Sequence, residues 1–171
     1  MNNYQIYDEV GKGRFSIVYK GRRKKTIEYY AISSIDKSRR QRVLTNVRFL
    51  RAAEHRCIIK FHNWYETNNH LWVITELCTG GDMRQVLNLD SRISRQAVQM
   101  FGTDIAEGLM YIHSRGVVYG DLKPSNILMD STMTMRFYDF GLSCDFNTIR
   151  GAGTVGTPLY MAPELFTKDG M

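Results

Sequence analysis

The order of patterns along the 171 residues predicts an α+β fold, with strands and one helix in the first half and a longer helix in the second. Residues 4–32 read as strands broken by turns, beginning with Tyr4 to Val10. Ile58 to Tyr65 and Leu71 to Leu77 read as two more strands, with Asn68-Asn69 as the turn between them. Helical spacing appears in two places. Val43, Val47 and Leu50 mark a first helix within 43–53. Val98, Phe101, Ile105, Leu109 and Ile112 make one apolar face of a longer helix from Ser94 to Ser114, with Ser94 as N-cap and Gly116 as the stop.

The length suits one domain with its own core. No apolar run reaches the ~20 residues that span a bilayer, so no membrane contact is expected. The start, Met-Asn-Asn-Tyr-Gln, lacks the basic-then-apolar pattern of a secretory leader. Cys57, Cys78 and Cys144 are scattered and odd in number, which reads as reduced thiols in a cytoplasmic protein. The net charge of +6 is concentrated in Arg22 to Lys25 and in Lys37 to Arg42 with Arg48 and Arg51. It reads first as a solvated basic face and second as a docking surface for an acidic partner. No interleaved aromatics or binding motif point to nucleic acid.

The chemistry concentrates in 117–141. Asp121 is followed two places on by Lys123 and five places on by Asn126, and Asp139 opens Asp-Phe-Gly thirteen places after Asn126. Moving a phosphoryl group needs an acceptor for the hydroxyl proton, a cation beside the migrating phosphate and oxygen ligands for Mg2+. Asp121, Lys123, and the pair Asn126 and Asp139 are candidates for those tasks in that order. Together they resemble the catalytic loop and metal-binding turn of the protein kinases.

Further motifs carry the same resemblance. Gly11-Lys12-Gly13-Arg14-Phe15-Ser16-Ile17-Val18 resembles the loop that folds over ATP phosphates, with Ser16 in place of the third glycine. The Ser16 replacement is expected to stiffen the loop tip. Thr75-Glu76-Leu77-Cys78 fits the hinge, where the carbonyl of Glu76 and the N–H of Cys78 would meet an adenine edge and Thr75 would be the gatekeeper. Asp82 stands where the family holds ribose hydroxyls, and Val18, Ala31 and Leu128 are the expected apolar walls. Residues 142–157 read as the activation segment, closed by Ala162-Pro163-Glu164. Lys123 with Thr157 resembles the serine/threonine branch.

Four further positions depart from the family pattern. Ser33 follows Ala31-Ile32 where a phosphate-gripping lysine is usual, and Asn46 stands where helix C holds that lysine's glutamate. Losing both leaves a tolerable neutral pair. Lys12, Arg14 and Lys37 are the candidate replacement cations. In place of His-Arg-Asp the chain has Tyr119-Gly120-Asp121. Tyr119 is expected to pack on the phenylalanine of Asp-Phe-Gly. Gly120 cannot bind a phosphate on Thr148 or Thr154, which leaves Arg150 as a substitute.

The resemblance implies a protein kinase-like fold. An antiparallel small-lobe sheet with helix C would occupy 1–74, a hinge 75–81, and the first part of a helical large lobe 82–171, truncated at the C-terminus. Further helices beyond 171 are then expected to supply most of the cover for the apolar face of the Ser94 to Ser114 helix. Tyr19 to Lys24, Ala31-Ile32 with Asp36-Lys37, Phe61 to Thr67, Asn69 to Trp72 and Glu76-Leu77-Cys78-Thr79-Gly80-Gly81 are similar to the Unc-51-like group, most of all its Fused-like, pseudokinase-containing branch. That branch is associated with microtubules and cilia. The expected function is ATP-dependent phosphorylation of protein serine or threonine hydroxyls, weakened by Ser33 and Asn46. The rivals are a pseudokinase scaffold for protein partners and an inert fragment.

Overall fold

The computed structural model describes residues 3–89, 92–151 and 156–166, with the backbone alone over 149–151. Five strands form one antiparallel sheet: β1 (Tyr4–Lys12), β2 (Ser16–Arg23), β3 (Tyr29–Asp36), β4 (Phe61–Glu66) and β5 (His70–Glu76). Their order is β1-β2-β3-β5-β4. The chain leaves the sheet after β3 to build helix α1 (Arg40–Ala52), and β4 then returns at the far edge.

Register decides which side chains meet. Ser33 pairs with Val18 on one side and Val73 on the other, and Ala31 pairs with Thr75. Directly paired residues share a face of the sheet, so Val18, Ala31, Ser33, Val73 and Thr75 point the same way. Helix α1 packs on that side, where Val43 and Val47 bury against Leu71 and Val73. The opposite face buries Tyr30, Ile32 and Ile74 beneath Tyr4, Tyr65 and Trp72.

The remainder comprises α2 (Met83–Leu89), α3 (Arg95–Ser114) and four short strands: β6 (Val117–Val118), β7 (Ile127–Met129), β8 (Met135–Phe137) and β9 (Cys144–Asp145). β7 and β8 form a hairpin, and β6 pairs with β9. The main core joins Leu50, Ile58, Ile59, Phe101, Ile112, Tyr119, Ile127, Met135, Phe137 and Phe140. Asp104 lies buried on α3, where it accepts the Met135 N–H at 2.9 Å and meets Arg56 at 2.6 Å, so helix and hairpin are locked together.

Three expectations need correction. The strand read from Ile58 begins only at Phe61. Residues 57–59 instead pair with β8, through Ile59 N–H to Phe137 O at 3.0 Å and Phe137 N–H to Cys57 O at 2.7 Å. The strand bearing Ser33 stops at Asp36, whose carboxylate accepts the Ser38 N–H and caps a 3-10 turn over Lys37–Arg39. That turn diverts Lys37 to Glu66, 3.1 Å away, so Lys37 does not lie beside Ser33 along the strand. The apolar face of α3 is covered largely within the described residues. Phe101 and Ile112 are buried, Ile105 and Leu109 are partly buried, and all four pack in the core that holds the hairpin. Of the five residues on that face, Val98 is the exposed one. The Ser94 cap is present, its hydroxyl accepting the Ala97 N–H at 3.2 Å.

Candidate functional site

The segment between β6 and β7 carries the first cluster. Asp121 is almost fully buried, at 4% exposure. One carboxylate oxygen accepts Lys123 Nζ at 2.7 Å and Asn126 Nδ2 at 3.0 Å, and the other accepts the Thr157 hydroxyl at 2.7 Å. Lys123 also donates to Thr157 Oγ1 at 2.7 Å. Thr157, 36 positions from Asp121, thus closes a ring of three side chains. Burial pushes the Asp121 carboxyl upward, but the bonds from Lys123, Thr157 and Asn126 outweigh it and hold it below the ordinary aspartate value. It is a charged base at neutral pH.

Asn126 is buried and gives both described side-chain bonds through Nδ2, to the Asp121 backbone and carboxylate. Neither bond uses Oδ1. The Tyr138 N–H donates to the Asn126 carbonyl at 3.1 Å, which draws the turn bearing Asp139 beside the loop bearing Asp121. Asp139 sits at φ 58, and its Oδ1 accepts the Gly141 N–H at 3.1 Å. Hard carboxylate and amide oxygens are the donors Mg2+ prefers, so Asn126 and Asp139 fit that ion chemically.

Aromatic rings brace the turn. Phe140 is buried, stacked on Phe49 of α1 at 4.1 Å and edge-on to Tyr119 at 5.0 Å. The Tyr119 hydroxyl donates to the Tyr138 carbonyl and, at 3.4 Å, to the Asn126 carbonyl. Tyr119 therefore packs on Phe140 as expected and also bridges the two loops. Burial, then the Asp139 charge, raises its pKa well above the ordinary phenol range.

The next position requires glycine. Gly120 has φ 80, and a Cβ there would lie 2.5 Å from the Leu142 carbonyl oxygen. Left-handed backbone and a backbone wall together exclude an arginine at this position. Thr148 lines a cavity of about 500 Å³ between α1, α3 and β9, whose walls include Arg48 and Arg115. Thr154 and the side chain of Arg150 lie outside the described residues.

Ser33 and Asn46 are both buried. The Asn46 amide oxygen accepts the Phe140 N–H at 2.9 Å, so a neutral residue at the glutamate position still ties α1 to the Asp139 turn. The Ser33 hydroxyl interacts with the Tyr138 phenol. Burial and then the Asp139 charge push that phenol up to about 12, while Ser33 opposes the rise.

The remaining expected positions lie on β1 and the turn after it, at the end of β5 and in the segment that follows it. Gly11 and Gly13 lie at the end of β1 and in the turn before β2, with Gly13 N–H bonded to Ser16 O at 2.8 Å. The ring of Phe15 at that tip is faced by Arg39 at 3.6 Å and Arg14 at 5.1 Å, which holds Arg14 to the tip. Thr75 is buried and its hydroxyl donates to the Glu76 carbonyl at 3.3 Å. The Glu76 carboxylate accepts the Lys60 N–H and pairs with Arg136 at 3.2 Å. Cys78 is half-buried, its thiol raised to about 12 by burial and then by Glu76. Asp82 bridges to Leu128 and caps α2 by accepting the Gln85 N–H at 2.8 Å, while Gln85 returns a bond to the Asp82 N–H.

Sequence reading missed Arg42 and Tyr138. Arg42 of α1 reaches Asp139 Oδ2 at 2.7 Å across 97 positions. Its signal was its place one helical turn before Asn46. Tyr138 could have been noticed as a large residue directly before Asp-Phe-Gly.

Comparison with known proteins agrees with this geometry. The protein kinase domain family model matches residues 4–171. The chain is 46% identical over 174 aligned residues to the serine/threonine-protein kinase RUNKEL of Arabidopsis thaliana, covering all of this chain and 13% of that protein. It is 41% identical over 143 residues to the serine/threonine-protein kinase ULK4 of Mus musculus, covering 84% of this chain and 11% of that protein. A probable myosin light chain kinase of Dictyostelium discoideum is 31% identical over 173 residues, 98% of this chain and 55% of that protein. The chain therefore spans a small fraction of the first two relatives. RUNKEL and ULK4 accord with the Unc-51-like, Fused-like resemblance of residues 19–81. With a matching family model along nearly its whole length and an Asp121–Lys123–Thr157 ring beside an Asp-Phe-Gly turn, the chain belongs to the protein kinase domain family.

Proposed function

We propose that this chain is the nucleotide-binding part of a serine/threonine kinase domain that transfers the γ-phosphoryl group of ATP to protein hydroxyls, slowly. The observation that carries this is the ring of Asp121, Lys123 and Thr157 at 2.7 Å contacts. Asp121, charged and buried, takes the proton of the substrate hydroxyl. That oxygen bonds to the γ-phosphorus while the bond to the β–γ bridging oxygen breaks and ADP leaves. Lys123 holds positive charge beside the transferred group. Asn126 and Asp139 would hold Mg2+, which neutralises phosphate charge when bound. The hinge 75–81, between a small lobe at 1–74 and the large-lobe part from 82, offers Glu76 and Cys78 to the adenine. Asp82 keeps one carboxylate oxygen for a ribose hydroxyl.

The slow rate follows from Ser33 and Asn46, which leave no lysine–glutamate pair. The same two residues support a second reading, a pseudokinase scaffold. The bond from the Phe140 N–H to the Asn46 amide oxygen holds α1 against the Asp-Phe-Gly turn without any ion pair, an arrangement that does not depend on turnover. Cytoplasmic location and association with microtubules or cilia rest on the resemblance alone. The test is phosphorylation of serine and threonine peptide libraries by the full-length protein. Transfer that disappears in Asp121→Asn supports the kinase reading. No transfer above that variant, with ATP bound, favours the scaffold.

A further inference from the structure

We infer that Arg42, on helix α1, is the cation that takes the nucleotide's phosphates in place of the missing strand lysine. The inference rests on the ATP-binding reading above and assigns a residue to it. Arg42 Nη2 lies 2.7 Å from Asp139 Oδ2, on the carboxylate that fits Mg2+. The stem crosses the Asp-Phe-Gly turn at Gly141, where a Cβ would lie 2.2 Å from Arg42 Cγ and 2.6 Å from Nε. Any larger residue at 141 would displace it.

The guanidinium is placed for a second partner. Its side chain is 37% exposed, and the bond to Asp139 is its one described hydrogen bond. Guanidinium carries five N–H donors in a planar fork suited to phosphate oxygens. The other candidate cations are engaged or distant. Lys37 and Arg40 bond Glu66, and Arg14 and Arg39 lie against Phe15. Lys12 ends the outer strand β1 and is exposed. Among the described cations, Arg42 contacts Asp139 and Lys123 contacts Asp121, and Lys123 is already held by Asp121 and Thr157.

Calorimetry on the full-length protein tests this, with ATP and with adenosine, in the presence and absence of Mg2+. Without Mg2+, Arg42→Ala is expected to weaken ATP binding at least tenfold and adenosine binding less than twofold. Arg42→Lys, which keeps a charge, is expected to retain ATP binding within about threefold of wild type and guards against a fold defect in the alanine variant. Unchanged Mg2+-free ATP affinity in Arg42→Ala overturns the inference, because a direct guanidinium–phosphate contact needs no metal. Equal loss of ATP and adenosine binding in both variants overturns it as well. A wild type that binds neither ligand defeats the nucleotide reading itself, whereas wild-type binding with no Arg42 effect defeats this inference alone.

Discussion

The Asn46 amide oxygen accepts the Phe140 N–H at 2.9 Å, joining helix α1 to the Asp-Phe-Gly turn across 94 positions. Both groups are buried. Removing the acceptor strands a backbone donor, which costs about 1–3 kcal/mol. Asn46→Ala is therefore expected to lower the melting temperature by roughly 2–12 °C, at about 2–4 °C per kcal/mol for a domain of this size. Differential scanning calorimetry checks it. An unchanged melt would mean that Phe140 N–H finds another partner.

Restoring only the lysine should do harm. Ser33→Lys alone puts an unpaired cation into a buried site, and an uncompensated buried charge costs about 3–5 kcal/mol. Ser33→Lys with Asn46→Glu is expected to recover most of that loss in chemical denaturation. It is also expected to raise phosphotransfer, since a preorganised donor at developing charge is worth about 10²–10³ in rate. A double variant that binds ATP with no gain in transfer would show that the missing pair is not what limits the rate.

How much of this was legible differs by element. The spacing of Asp121, Lys123, Asn126 and Asp139 shows in the sequence because one short loop and one turn carry it. The face of α3 shows because 3.6-residue periodicity is local. Lys37 misled because the cap at Asp36 ends β3, a side-chain bond that no periodicity records. Arg42 and Asn46 were opaque as partners because each acts across more than 90 positions, where packing alone decides the contact. Gly120 reads as a lost arginine, yet its φ of 80 and the nearby Leu142 carbonyl show that the backbone itself has changed.

Substitution at Gly120 therefore restores nothing. Gly120→Arg is expected to destabilise the protein by at least 1–2 kcal/mol, the cost of left-handed backbone alone. Thr148→Glu should move ATP affinity less than about twofold, since Arg48 and Arg115 are exposed and such pairs contribute about 0–1 kcal/mol. Thermal melts and an ATP titration check the two. A tenfold rise in affinity for Thr148→Glu would show that the Arg48 and Arg115 cavity acts as a phosphate switch.

The hairpin that carries this site has its own pH signature. Asp130 is pulled down to about 2, because bonds from Thr132, Arg136 and the Thr132 and Thr134 N–H groups overcome the upward push of burial. A depressed carboxylate contributes stability that is full above its unfolded value near 3.8 and is lost as pH falls toward 2. Asp130→Asn is expected to cost about 2 kcal/mol at pH 7, with the difference from wild type closing between pH 4 and pH 2. A difference that stays constant across that window would assign the effect to shape rather than charge.

Everything in the proposed chemistry depends on nucleotide entering the cleft. The direct measurement is isothermal titration of the full-length protein with ATP and Mg2+, beside an Asp139→Asn variant. Saturable binding weaker than that of kinases with the strand lysine is expected, reduced further in Asp139→Asn. No heat and no thermal shift at millimolar ATP would contradict it.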